Sequence, residues 1–405
     1  GIGNSALKAN TTASQNTAVG YHALTANTTG ANNVAVGVWA LYSNSTGSDC
    51  VAVGNGALYS NTVSNNTAVG SNALLSNTSG SGNIAIGHDS LEANTTTNNN
   101  TAIGFEALKN ATASNNVAVG NYNLDSTTTG SNNTALGYGV MQANTTGVDN
   151  TAIGLNALLA NTTGNYNTAV GSKALNTSTT ASDCIGLGYQ AGRDNHSIRL
   201  LAIGYNAGLN NNAWPNTFIG YGSGGTSADI TGDQNTAVGY LTLADITTGD
   251  GNTIMGYTAG QNITTGTANT YIGSRAGLTP TTGDNNTAIG KDSGYDLTTG
   301  SNNTFIGYQA GVTHAPSGSV TTGSNIVCLG NNSVSDLYCA DTSISSSDAR
   351  DKTDVEDFKH GLSWITELRP VTYRWDRRTW YGTDENPKGT PDGSKKRDRI
   401  HIGFL

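Results

Sequence analysis

A chain of 405 residues has room for two or three ordinary domains, but here only 12% of residues are charged and glycine fills 53 positions, where typical domains are roughly 25% charged. The formal net charge of −9 excludes a general nucleic-acid binder, which needs clustered Lys and Arg against phosphates. The dispersed cysteines, Cys50, Cys184, Cys328 and Cys339, exclude a disulfide framework, and no apolar run nears the ~20 residues that span a bilayer.

The polar residues recur at fixed places, which separates this chain from a disordered one. From Gly3 to Gly330 an aliphatic residue followed by glycine returns twenty times, mostly every 16 or 17 residues. The unit reads Asn-Thr-Ala-Val/Ile-Gly-x-x-Ala-Leu-x-x-Asn-Thr-Thr-Gly, as in Asn16 to Gly30. A fixed short period without a helical pattern marks a solenoid. The expected fold class is therefore mainly β, a parallel β-solenoid shaft of about 20 coils, on the order of 95 Å long at ~4.8 Å per coil.

Residues 1–187 form the first array, in which the fourth residue after the repeat glycine is nearly always Leu (Leu7, Leu24, Leu41, Leu58, Leu175; Met141 once). Thr17-Ala18-Val19-Gly20 is the type strand, and Ala23-Leu24 reads as a second short extended piece. Alternation places Val19 on one face and Ala18 with Gly20 on the other. The branched residue is expected to fill the coil, and the small face to pack against another chain. Asn27-Thr28-Thr29-Gly30 carries turn chemistry, and stacking should align Asn and Thr in ladders along the axis. Cys50 and Cys184, each in Ser-Asp-Cys, read as small packing residues at the Thr position of the repeat. The Asn-x-Thr sequons arise from the repeat itself.

Residues 188–342 form the second array. The Leu position becomes Gly (Gly192, Gly208, Gly224, Gly260, Gly277, Gly294, Gly311), and Tyr follows the repeat glycine (Tyr189, Tyr205, Tyr221, Tyr240, Tyr257, Tyr308). The expectation is a changed cross-section with these tyrosines replacing the Leu volume. The period breaks at Arg193 to Arg199, Gly222 to Asp233 and Val312 to Gly323, the natural places for contact loops on a rigid scaffold. Gly220-Tyr221-Gly222-Ser223-Gly224-Gly225 lies inside a coil with no helix after it, so it does not read as a dinucleotide loop. No cofactor is expected. The six histidines fall in unrelated contexts and suggest no metal site, and Asp229 and Asp233 read as solvated loop carboxylates.

Residues 343–405 differ abruptly. From Ser345 onward, 61 residues hold 23 of the 47 charged residues and three of the five Trp. Phe358, Leu362, Ile365 and Leu368 recur at helical spacing, Pro370 ends that helix, and Val371, Tyr373 and Trp375 alternate as a strand. This is a small α+β module. It stops at Phe404-Leu405 without a closing element, and the array begins inside a repeat, so truncation at both ends is expected.

Ser347-Asp348-Ala349-Arg350-Asp351-Lys352, then Gly361-Leu362, Leu368-Arg369-Pro370-Val371 with Tyr373 and Trp375, then Ile402-Gly403-Phe404, resembles the N-terminal part of the endosialidase-type intramolecular chaperone, the peptidase S74 family. The resemblance implies a trimeric phage tail fibre or tailspike that cleaves itself at Ser346–Ser347. Ser347 would be the nucleophile and Lys352 its base, with Asp348 and Arg350 as supporting motif residues. A serine needs such a neighbouring base, and burial lowers a lysine's pKa enough to provide one. The shaft repeats are similar, with longer units, to the head repeats of trimeric autotransporter adhesins, which implies a left-handed β-roll.

The expected function is structural and adhesive: a homotrimeric virion fibre for host attachment, made in the host cytoplasm. It would meet other virion proteins and a host surface glycan or receptor, with no nucleic acid and no membrane insertion. The alternatives are a bacterial trimeric adhesin and a polysaccharide depolymerase. A depolymerase needs a groove lined by two acidic residues, which the regular shaft does not display.

Overall fold

The computed structural model describes residues 1–225, 228–336, 370–373 and 401–404. The chain divides into two compact units, Gly1–Asp336 and Leu337–Leu405. The first is a parallel β-solenoid, as its periodicity predicts. Its single sheet holds nineteen strands, β1 (Thr17–Val19) to β19 (Val327–Leu329), most of three residues. Every strand pairs in parallel with the next at the equivalent repeat position, as in Thr17↔Val34, Ala18↔Ala35 and Val19↔Val36. A bridge between Ile2 and Val19 adds one more turn at the start.

The repeat glycine ends each strand for a steric reason. Gly188 has φ +132, and a Cβ there would lie 2.5 Å from the carbonyl oxygen of Gly204 one coil on. Only a residue without a side chain lets the coils stack this closely.

The burial is the reverse of what alternation suggested. Ala18 is inside and Val19 is half-exposed, and the same holds along the sheet: Ala35, Ala52, Ala68 and Ala85 are fully buried. Ala23 and Leu24 are adjacent, yet both are fully buried. No strand forms there; Leu24 is left-handed, with φ 52. An inverted φ turns its side chain to the same side as that of its neighbour, which alternation in an extended strand forbids. The left-handed backbone costs roughly 1–2 kcal/mol, and burying the leucine offsets this by roughly 1.5–3 kcal/mol. With Leu24 entering from one wall, the strand opposite has room only for alanine.

Asparagine ladders run from coil to coil through the polar part of the interior. Fully buried Asn150 accepts the Asn167 amide at its Oδ1 (3.0 Å) and donates Nδ2 to the Gly164 carbonyl (2.9 Å). The pattern repeats coil by coil, as in Asn33, Asn83, Asn252 and Asn286. A second column joins turn to turn, with Asn77 Nδ2 2.8 Å from Asn61 Oδ1. Threonine hydroxyls donate to the next coil's carbonyl, Thr28 to Ser45 at 3.0 Å. Most buried amides thus find partners along the rod, while Asn27 Oδ1 and Asn44 Oδ1 are left without one among the described residues.

Cys50 and Cys184 occupy the asparagine column, not the threonine position. Val51 pairs with Val34, so Cys50 aligns with Asn33. Its amide donates to Asn33 Oδ1 and its thiol to the Val63 carbonyl at 3.2 Å, in the role of the missing Nδ2. Both thiols are free and buried, and burial pushes them above the ordinary thiol range.

The second array exchanges volume between walls, and the tyrosines are not what fills it. Tyr189, Tyr205, Tyr221, Tyr240 and Tyr257 lie exposed outside. The interior is filled by large residues at the alanine position: Phe218, Ile254, Tyr271 and Phe305, all fully buried. Each leans into space opened by a glycine at the leucine position. A Cβ on Gly208 would lie 2.9 Å from the Phe218 ring, and one on Gly294 2.9 Å from Phe305. Ala237 returns together with a buried leucine, Leu243, whereas Ala202 and Ala288 sit in coils that keep a glycine, Gly208 and Gly294, beside the ring of the next coil. Ile246, Ile263 and Leu297 also replace the turn asparagine and are fully buried.

In the second unit, β20 (Pro370–Tyr373) pairs antiparallel with β21 (His401–Phe404). Of the strand expected at Val371, Tyr373 and Trp375, the part to Tyr373 is present; Trp375 and the helix from Phe358 to Leu368 lie outside the described residues.

Candidate functional site

Ser347, Asp348, Arg350 and Lys352, with the Ser346–Ser347 bond, lie outside the described residues, so their reading rests on the motif. Among the described residues, three surfaces have the geometry of a site.

The outer face of the sheet is a continuous aliphatic ridge. The residue before each repeat glycine points out: Ile86, Ile103, Leu136, Ile153, Ile289 and Ile306 all keep more than a third of their surface exposed, Leu136 reaching 45%. Sequence reading placed these side chains in the core, because branched residues usually fill it. The available signal was Ala18 itself: a wall position that is nearly always alanine is the cramped one.

Beside the ridge, across the repeat glycine, runs the tyrosine column. Tyr189, Tyr205, Tyr221, Tyr240 and Tyr257 stack with ring centroids 5.1, 4.9, 5.2 and 5.3 Å apart and planes within 16°. This matches the spacing of hydrogen-bonded strands, so one residue per coil gives one ring per step.

The three period breaks differ in character. At the first, Arg199 lies over the Trp214 ring at 5.5 Å. In the second, Ile230 is fully buried and bridges Asn211, and Asp233 accepts the Trp214 amide at 2.7 Å. That segment patches the core, and Asp233 is structural. The third, Val312 to Gly323, builds a wall: Val312, Ala315 and Val320 are buried beneath it, and Val320 donates its amide to Gly311 at 3.0 Å.

Among the described residues the densest charge cluster is Lys109 with Glu106 (2.9 Å), Asp89 (3.2 Å) and Glu92 (3.8 Å). The Glu106 hydrogen bond, aided by Asp89, raises the lysine pKa and holds it charged. Its partners are all within the shaft, so it staples coils together. Among the described residues no group of three His, Cys, Asp or Glu could hold a metal ion, and no helix is long and apolar enough to cross a membrane.

Residues 347–405 match the family model of peptidase S74, described as chaperone of endosialidase. No curated protein matches the chain.

Proposed function

We propose that this chain is the shaft of a homotrimeric fibre, an attachment appendage of a virion, whose assembly is directed by the self-cleaving region that begins at Ser347. The observation that carries the reading is the aliphatic ridge. It repeats once per coil along the shaft, and an exposed apolar surface of this extent marks an interaction site. A partner that covers it must present apolar groups at the same period over the same length, and another copy of this chain does so. A coil that buries one alanine pair and one leucine is also too thin a core to stand easily alone. The family match at the C-terminal end and the resemblance of the repeats to trimeric head repeats support three copies rather than two.

Cleavage at Ser346–Ser347 needs Lys352 neutral beside the Ser347 hydroxyl, which requires a desolvated setting. Trimer assembly supplies that setting, so release follows correct folding. The test is the full-length protein with Ser347→Ala and Lys352→Ala beside it. Light scattering should give the mass of three chains, and denaturing gels two bands for the wild type and one for each variant. A compact monomer in solution overturns the fibre. Complete assembly without any wild-type cleavage overturns the peptidase role.

A further inference from the structure

The shaft is regular enough that its largest departure asks for a reason. Between β18 (Thr304–Ile306) and β19 the paired residues Thr304 and Val327 are 23 positions apart, where neighbouring strands are usually separated by 17. The six additional residues are folded tightly: Ala315 donates its amide to Val312 at 2.7 Å, Gly318 to Ala315 at 2.9 Å, and Asn332 to the His314 carbonyl at 2.9 Å. They raise one wall of a cavity of about 190 Å³, whose floor is formed by the preceding coils.

We propose that this cavity, lined by Tyr295, Asp296, Gln309, Thr313 and His314, binds one neutral sugar ring of a longer surface glycan. The proposal deepens the attachment reading by naming its site and ligand class. Ligand pockets for drug-sized molecules begin at roughly 300 Å³, so this one holds a single ring. Its polar groups are those that bind hydroxyls: a carboxylate, an amide, a hydroxyl and an imidazole, beside one aromatic ring.

The charges favour a neutral ligand. Arg275 is committed to Asp292, Nη2 donating to Oδ2 at 2.9 Å, while Nε stands 2.7 Å from Oδ1 as an ion pair outside hydrogen-bond geometry. The Asp292 carboxylate in turn holds the guanidinium more firmly charged. Asp296 then adds a negative charge that, among the described residues, forms no ion pair. An acidic sugar or a phosphate meets repulsion here, and among the described residues the metal alternative lacks a ligand set.

The walls are set before a ligand arrives. The Arg275 guanidinium sits 5.5 Å from the Tyr295 ring centroid. Asp296 Oδ2 accepts Ser319 at 2.7 Å and Thr313 at 3.5 Å, tying the inserted wall to the coil below. Preorganisation of this kind lowers the ordering cost of binding. Among the described residues the Gln309 side chain has no such duty; its coil is fixed by its backbone amide, 3.0 Å from the Lys291 carbonyl.

The test titrates full-length protein with glucose, galactose, mannose, N-acetylglucosamine and galacturonate by saturation-transfer NMR, alongside Gln309→Ala and Tyr295→Ala. One or more neutral sugars should bind with a dissociation constant on the order of 1 mM. Each substitution should weaken binding about tenfold, with unchanged thermal unfolding for Gln309→Ala, and galacturonate should not bind. The proposal is overturned if no neutral sugar binds, if galacturonate alone binds, or if Gln309→Ala leaves binding unaltered. Tyr59→Ala, in the separate cavity lined by Trp39, Tyr59 and Leu75, is the control, and loss of binding there also overturns it. The mass of the same sample separates the two readings. A trimer that ignores neutral sugars sinks only the sugar site, and a monomer that binds them sinks only the fibre.

Discussion

The two arrays of the shaft solve one volume problem from opposite walls. Up to about residue 187 alanine stands in the strand and leucine in the left-handed turn; beyond it glycine takes the turn while phenylalanine, tyrosine or isoleucine takes the strand. Protein interiors are packed to crystal-like density, so the sum across a coil is constrained while its division is not. Ala237 with Leu243 shows the exchange within one coil, and Ala288 with Gly294, which leaves room for Phe305 of the next coil, shows it between neighbouring coils. Gly192 and Gly208, in coils whose strand residues are the small Gly186 and Ala202, borrow from neighbours instead. A Cβ on Gly192 would lie 2.8 Å from both Leu175 and Leu200.

The largest effect should come from emptying either kind of core. Leu58→Ala is expected to cost about 2–5 kcal/mol and Phe305→Ala about 3–5 kcal/mol, read as loss of denaturant stability. A loss under about 1 kcal/mol at Phe305 would mean that the second array is not packed around its rings.

A sharper break is to impose one solution on the other's territory. Ala102→Phe overfills a coil that already holds Leu108, and should cost about 1–3 kcal/mol. Adding Leu108→Gly should recover part of that loss, since Leu108 already has φ 52, a conformation glycine adopts freely. If the double variant is less stable than Ala102→Phe alone, the exchange of volume between walls is wrong.

The smallest expected effect separates the arrays by pH. Cys50 and Cys184 have thiol pKa values raised above 9.0 by burial, and Tyr271 a hydroxyl raised above 10.0 by the same cause. A raised folded pKa means stability that is complete below the unfolded value and declines as pH rises past it. The first array should therefore begin to loosen above pH about 9 and the coil of Tyr271 above about 10, as read by proteolytic cutting sites. Asparagine at both cysteine positions should abolish the earlier step, and an unchanged profile would show that the thiols do not report on the fold.

Much of the architecture was legible in the sequence. The return of Asn-Thr-Ala-Val-Gly at an interval near 17 allowed only stacked coils, and like residues over like then had to form ladders. The orientation was not legible, because alternation assumes an extended chain, whereas Leu24 and its equivalents reverse direction through positive φ. The cysteines were misaligned by one place for a related reason: Ser-Asp-Cys resembles the polar run before the strand, and only pairing of Val51 with Val34 fixes which column Cys50 joins.

Sequence by itself determined the period, the class of fold and the motif from Ser347 to Lys352, since each depends on residues near one another in the chain. Tertiary structure decided which side of each coil is inside, which wall carries the volume, and that Tyr295, Asp296 and His314 share one cavity. Those outcomes depend on the backbone's handedness at single residues and on contacts between coils, where distance along the chain carries no information.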